Sequence, residues 1–396
     1  MLLVAVIPTA TLLGHAAMAG AQQPGLTLSS NSGSVGAYVA VSFVAPANTS
    51  CSTPIFTTGV LGSAYAQVIP LNRGIGQNFN GRFLIPPYIP HLGPVTTGTY
   101  EFLVDCGPAS GPEQDYTAPF EVTSVTPSPS RFVGLAPTPS GTGYWLAQAG
   151  GGVFSFGTAA FYGSLPGSHL VPASAIVGIA ATPDGGGYWL VAADGGVFAF
   201  GDGSFYGSLP AIGITPAAPI VGIAANPEGG GYWLVGADGS VFAFGSSAYY
   251  GSVSQAFNPG GPVMPVAGIA AAPDGAGYLE AGGFFGGYGY GDLAGSYPIA
   301  PPPNVSPPSM SPLTGVAATA SGLGQWYVAP DGAVFAVGTP FYGSLPGDGV
   351  TSEAPILDIA ATADHRGYWL LGADGGVFAF GDAGYDGSAA DAGLPW

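Results

Sequence analysis

The sequence predicts an all-β chain whose larger part is a ring of repeated sheets. Three observations predict it: a unit of about 44 residues recurs from Phe132 onward, Asp-Gly turns recur inside the unit, and only 7% of the 396 residues are charged. The unit first reads RFVGLAPTPSGTGYWLAQAGGGVFSFG, then IVGIAATPDGGGYWLVAADGGVFAFG and IVGIAANPEGGGYWLVGADGSVFAFG, followed by three more divergent copies. Its marker tryptophans are Trp145, Trp189, Trp233, Trp326 and Trp369, and the fourth copy has Leu279 in that place, so successive spacings are 44, 44, 46, 47 and 43 residues. A period this regular selects a propeller or a solenoid. A helical solenoid is excluded, because no stretch has a 3.6-residue apolar period and glycine recurs every few positions.

Within each unit four stretches fit strands, typified by IVGIAAT, GYWLVAA, GVFAFG and FYGSLP. PDGG joins the first two, and Asp-Gly at Asp194, Asp238, Asp331 and Asp374 joins the next two, a strong hairpin signal. Four antiparallel strands in about 44 residues make one propeller blade. Residues 132–396 are therefore predicted to form a six-bladed β-propeller, with seven blades as the alternative count. A blade held between two neighbours buries both faces of its sheet, which explains the shortage of charge. Tyr188 and Leu190 are predicted to face one neighbour, Trp189 and Val191 the other, with the small residues of IVGIAA nearest the axis. A strand exchange that closed the ring would have to borrow from around Ser130 to Pro137.

Ahead of the ring, residues 1–21 are predicted to be a cleaved export signal. An apolar run from Leu2 to Leu13 is followed by small residues at Ala17-Met18-Ala19 and Ala19-Gly20-Ala21, and the run is shorter than the ~20 residues of a spanning helix. Residues 24–123 carry short β-rich stretches, AYVAVSFVA, GRFLIPPYI, TYEFLVDC and APFEVT, between Gly, Pro, Ser and Asn turn signals, which predicts a small antiparallel sandwich. The chain has two cysteines, Cys51 and Cys106, both in this region, and with export they are expected to pair as a disulfide. Residues 124–131, dense in Pro and Ser, read as a stiff linker.

Charge excludes some partners. The formal net charge of -18 sets 22 acids against Arg73, Arg82, Arg131 and Arg366, and there is no lysine. Nucleic acid and anionic lipid surfaces, which are bound through clustered Lys and Arg, are not expected partners, while neutral sugars and cations remain open.

The unit VGIAA, GYWLVAADGGVFAFGD, YGSLP resembles the repeat of the propeller family named for the regulator of chromosome condensation. More loosely it is similar to the blades of tachylectin-type sugar-binding propellers, and it is closest to repeats of secreted proteins of GC-rich Gram-positive bacteria. The tachylectin resemblance implies sugar binding between blades. Residues 24–123, with Cys51 before the middle strands and Cys106 ending GTYEFLVDC, resemble immunoglobulin-like modules of secreted bacterial proteins, which serve as spacers or adhesive units.

No catalytic residue is assigned. The four histidines, His15, His91, His169 and His365, do not recur in register, and no Gly-x-Ser-x-Gly elbow is present. Three series of acids do recur: Asp184, Glu228 and Asp274; Asp194, Asp238, Asp331 and Asp374; Asp202, Asp292 and Asp382. They could line up as carboxylate rings for Ca²⁺, but turn chemistry is the simpler reading, since Asp caps turns and tolerates positive φ. No metal ligand and no cofactor are assigned on that ground. The tyrosines of the FYGS stretch, Tyr162, Tyr206, Tyr250 and Tyr342, are the candidate ligand-binding residues, with packing between blades as the competing role. The fourth unit departs most, with Leu279-Glu280 and the insertion YPIAPPPNVSPPSMSP. These features predict a monomeric, non-enzymatic protein, extracellular or on the cell surface, that recognises a cell-envelope glycan or a surface protein through its propeller loops. One alternative is a carboxylate-based or metal-assisted lyase or hydrolase with its site at the axis. The other is a structural surface protein without a specific ligand.

Overall fold

The computed structural model describes residues 130–253, 266–282, 286–294, 313–319 and 324–394, and before them Ser30 and a series of strands between 25 and 124. The expected export signal, most of the expected linker and the insertion of the fourth unit lie outside the described residues. No helix among the described residues is long and apolar enough to cross a membrane.

The chain is all-β, and the repeat region contains six three-stranded antiparallel sheets, consistent with a six-bladed propeller. The first comprises Phe132–Pro137, Gly143–Gln148 and Val153–Gly157, and the second Ile176–Ala181, Gly187–Ala192 and Val197–Gly201. The third runs over Ile220–Ala225, Gly231–Gly236 and Val241–Gly245, and the fourth over Val266–Ala271, Gly277–Gly282 and Gly286–Gly291. The fifth is Gly315–Ala318, Gln325–Val328 and Val334–Val337, and the sixth Ile356–Ala361, Gly367–Gly372 and Val377–Gly381. Each first strand touches the first strands of the sheets on either side, and that of the sixth sheet returns to that of the first. The ring is closed, with the first strands innermost.

The middle strands are buried along their whole length, as expected for sheets covered on both faces. Tyr188 and Leu190 pack with Trp145 and Ala147 of the sheet before, and Trp189 and Val191 pack with Tyr232 and Leu234 of the sheet after. Removing such side chains from water contributes roughly 1.5–3 kcal/mol each.

The expected fourth strand is not one. FYGSLP at 161–166 and at 205–210 runs as loop into a tight turn, at Pro166–Ser168 in the first unit and Pro210–Ile212 in the second. Side chains take over the role of a ladder here. Trp145 Nε1 donates to the Ala160 carbonyl at 2.7 Å. From the next sheet, the Tyr188 hydroxyl donates to the Gly163 carbonyl at 2.5 Å and accepts the Tyr162 N–H at 3.3 Å. Gly163 has φ +130°, where a Cβ would lie 2.9 Å from Phe200, so the segment leaves strand geometry at that residue.

Among the described residues no strand is exchanged between the first and last sheets. The closing joint uses the bonds of the other joints: Phe132 N–H to Ala373 O at 3.0 Å, matching Ile176 to Ala149 and Ile220 to Ala193, both at 2.8 Å. Tyr144 likewise donates to Gly387 O at 2.5 Å, and Phe132, Leu135, Tyr144 and Leu146 share a core with Trp369 and Leu371.

Ahead of the ring, one sheet has the order Gly25–Leu28, Tyr38–Val44, Phe79–Leu84, Ile69–Pro70, and another is centred on Gly98–Pro108 and Gln114–Ser124. Leu26 and Phe43 of the first sheet pack with Val104 and Tyr116 of the second. Strand Thr49–Cys51 pairs with Gly98–Pro108 so that Cys51 stands directly opposite Cys106.

Candidate functional site

The candidate residues lie on the outer segment of the repeat, where the chain turns from the third strand back toward the axis. The sequence-predicted residues Tyr162, Tyr206, Tyr250 and Tyr342 all lie there, each half-buried between two sheets. Tyr162 packs against Trp145 and Tyr188, with ring centroids 6.1 and 5.9 Å apart, and donates its hydroxyl to Gly185 O at 2.9 Å. Tyr250 donates to Gly275 O at 3.1 Å and Tyr342 to His365 O at 3.3 Å. Tyr206 packs between Trp189 and Tyr232. The four belong to four different joints and do not converge on one pocket.

The residue before each of them is the one that meets solvent. Phe161 is 58% exposed, Phe205 55%, Tyr249 46% and Phe341 55%, and Tyr385 takes the same place in the sixth unit at 52%. Neighbours on an extended segment point to opposite sides, so a tyrosine fixed in the joint turns the preceding ring outward. That alternation was available in the repeated Phe-Tyr pair, but sequence reasoning weighed only the tyrosine. In the fourth unit Leu293 is buried instead. The other large exposed apolar side chains, Leu170, Val171, Ile212, Ile214 and Val350, sit on the turns that follow these rings.

The recurring acids divide between turn chemistry and local pairing. Asp194, Asp238, Asp331 and Asp374 each accept, through Oδ1, the N–H two residues on, at 2.9–3.0 Å. This is the cap that an Asp-Gly turn needs. The other two series meet in the second unit, and in the sixth Asp364 stands at the position of Asp184 beside Asp382. Thr182 Oγ1 donates to Asp202 at 3.2 Å, and Thr362 Oγ1 donates to Asp364 at 3.0 Å and to Asp382 at 3.3 Å. The Gly186 N–H, then Thr182 and then Asp202 hold the Asp184 carboxyl below the usual carboxylate range. Among the described residues no three His, Cys, Asp or Glu side chains converge as metal ligands.

Histidine also has a turn role. His169 and His365 have φ of +56° and +58°. Gly213 and Gly185 hold the matching left-handed positions in the second unit.

Two carboxylates depart from the repeat inside the ring. Asp358 is the one carboxylate on the described innermost strands, where the other units have Gly134, Gly178, Gly222, Gly268 and Gly315. Its Oδ2 accepts the Leu135 N–H of the first sheet at 3.0 Å and its Oδ1 the Ile359 N–H at 2.9 Å. Burial pushes its pKa up to about 6 against those two donors. Glu280, on the middle strand of the fourth sheet, is wholly buried. Burial, with the charge of Asp238 adding to it, pushes its pKa to about 8 against the Val253 N–H.

No family model and no curated protein matches the chain. Among solved structures it is similar to that of a structural genomics protein of unknown function from Bacteroides thetaiotaomicron VPI-5482. The identity is 10%, the match covers 90% of this chain and 98% of that chain, and the TM-score is 0.42.

Proposed function

We propose that the chain is an exported, non-enzymatic binding protein whose ring recognises a neutral cell-envelope glycan through its outer rim. The observation that carries this reading is the set of five exposed aromatic rings, Phe161, Phe205, Tyr249, Phe341 and Tyr385, at one repeated position. Single aromatic rings set one per unit suit the flat apolar face of one sugar ring each, whereas a protein partner would need a contiguous patch of about 800 Å². The outer segments around Phe161 and Phe205 carry no lysine and no arginine, which favours an uncharged ligand. Tyr162, Tyr206, Tyr250 and Tyr342 serve in this reading as the floor that holds the exposed rings in place.

Each contact is weak, so affinity comes from several units engaging one repeating polymer, and avidity of this kind can exceed a single site by 10²–10⁴. The loose tachylectin resemblance of the repeats points the same way. We further propose that residues 24–123 act as an immunoglobulin-like spacer locked by a Cys51–Cys106 disulfide, since directly opposed residues of antiparallel strands lie within disulfide reach. A two-carboxylate hydrolase at the axis gains no support, because the described inner strands offer Asp358 alone.

The test is a polysaccharide pull-down with cell-wall and capsular polymers, comparing the natural protein with the triple variant F161A/F205A/F341A. Binding that falls at least tenfold in the variant, with the thermal midpoint unchanged, is the expected result. No binding to any polymer, or binding indifferent to the three substitutions, refutes the reading.

A further inference from the structure

Four joints of the ring tie the outer turn of a sheet to that sheet's own hairpin by one bond. The Leu165 N–H donates to Gly151 O at 3.0 Å, Leu209 to Gly195 at 3.2 Å, Leu345 to Gly332 at 3.2 Å and Ala389 to Gly375 at 3.0 Å. The third sheet departs from the pattern. Its Val253 N–H donates to Oε1 of Glu280, on the fourth sheet, at 3.3 Å.

Glu280 occupies the position of Leu190, Leu234 and Leu370 in the second, third and sixth sheets. It is 0% exposed, and its Oε2 has no hydrogen-bond partner. That oxygen lies 3.2 Å from where a Cβ on Gly239 would be, so the carboxyl is wedged between the hairpin of the third sheet and its outer turn. Valine at 253, smaller than the leucine at 165, 209 and 345, leaves the room the carboxyl takes. The titratable groups that act on the site are Asp238 on the neighbouring hairpin, Tyr249 on the neighbouring outer segment, and Tyr278, Tyr288 and Tyr290 of its own sheet. None of them is cationic, and the ion pair recorded among the described residues, Arg366–Asp364, is in another sheet. A neutral carboxyl is compatible with this wedge. A carboxylate would be buried with one long N–H bond and an acid beside it, which is costly.

We infer that the joint between the third and fourth sheets is a proton-controlled seam, closed while the Glu280 carboxyl keeps its proton and the first part of the ring to open when that proton is lost. The phenols around it stay neutral in the relevant range, because burial raises Tyr278 and Tyr290 well above their ordinary values. Glutamate freed by opening titrates near 4.5, and the wedged one near 8. Between these values the ratio of open to closed joint therefore rises about tenfold per pH unit, roughly 10³-fold in all.

Hydrogen-exchange mass spectrometry of the full chain from pH 6 to 9 tests it. Peptides spanning 237–253 are compared with the equivalent 193–209, whose joint has Leu234, so that the ordinary pH dependence of exchange cancels. The expected result is excess exchange at 237–253 that grows about tenfold per pH unit up to pH 8 and disappears in E280L and E280Q. Equal protection of the two peptides in the natural protein overturns the seam outright. Excess exchange that persists in E280Q overturns the role of the proton, and E280Q carries this comparison if E280L does not fold.

Discussion

Replacing Asp358 by asparagine should flatten one part of the ring's stability profile against pH. The carboxyl reaches from the sixth sheet to the Leu135 N–H of the first and so sits in the joint that closes the ring. Its pKa is about 6 in the fold and 3.8 in the unfolded chain. Because the folded value is raised, the folded state holds the proton longer. The stability this contributes is fully present below pH 3.8 and is lost as pH rises through 6. Two pH units at 1.36 kcal/mol each give an upper figure of about 3 kcal/mol. Asparagine keeps an acceptor near Leu135 and cannot ionise. The difference in unfolding free energy between D358N and the natural protein should therefore be small at pH 3.5 and should move by about 3 kcal/mol in favour of the variant by pH 7. Urea titrations followed by tryptophan fluorescence read this directly, since all six tryptophans lie in 132–396. Glu280 titrates equally in both proteins and drops out of the difference. If the gap between the two proteins is the same at pH 3.5 and pH 7, burial of Asp358 is not what sets its titration.

The inter-sheet tyrosine should matter through its hydroxyl. Y188F removes the donor to Gly163 O and the acceptor of the Tyr162 N–H, and one buried unsatisfied group costs about 1–3 kcal/mol, so the midpoint of the ring in urea should fall without a change in slope. An unchanged midpoint would mean that the bonds of Trp145, Tyr162 and Leu165 hold the outer segment without the Tyr188 hydroxyl. For the first region, alkylation without reductant should leave Cys51 and Cys106 unmodified, and reduction should add two labels. Closing the loop between them is worth about 4 kcal/mol by chain entropy, so reduction should also lower the calorimetric midpoint of that region. Labelling without reductant would refute the disulfide.

The repeat was legible because its period, its Asp-Gly turns and its tryptophans are one-dimensional signals. The facing of Tyr188 and Trp189 followed from strand alternation alone. The third-to-fourth segment was not legible, because FYGSLP has the composition of a strand, and what keeps it from being one is a contact from the next unit, the Tyr188 hydroxyl on Gly163. Such a bond joins residues 25 apart and has no local signature. The acids read as turn chemistry at Asp194, Asp238, Asp331 and Asp374, where the cap is two residues away. The exposure of Phe161 beside the half-buried Tyr162 is a different case. The pattern was in view, and of the two roles open to Tyr162 the structure shows the packing one, with Phe161 as its exposed neighbour.

Asp358 and Glu280 were hidden for the reason that makes them informative. In a ring of near-identical joints, stability is approximately a sum of equal interface terms, and opening begins wherever one term is smallest. Intuition puts that point between the first and last sheets, yet this joint has the Phe132–Ala373 bond, the Tyr144–Gly387 bond and an added one from the Leu135 N–H to Asp358. The joint between the third and fourth sheets keeps its tyrosine bond, Tyr278 to Gly251, but the bond that ties Leu165, Leu209 and Leu345 to their hairpins is replaced there by one to a buried acid. Below pH 6 the closing joint therefore carries one bond more than the others, while the joint between the third and fourth sheets has lost its hairpin tie to a buried acid. Glu280→Leu should thus raise the resistance of the ring to unfolding at pH 8 more than D358N does, because burial pushes the Glu280 carboxyl further from its ordinary value than that of Asp358, and a kinetic unfolding series at that pH would rank the two.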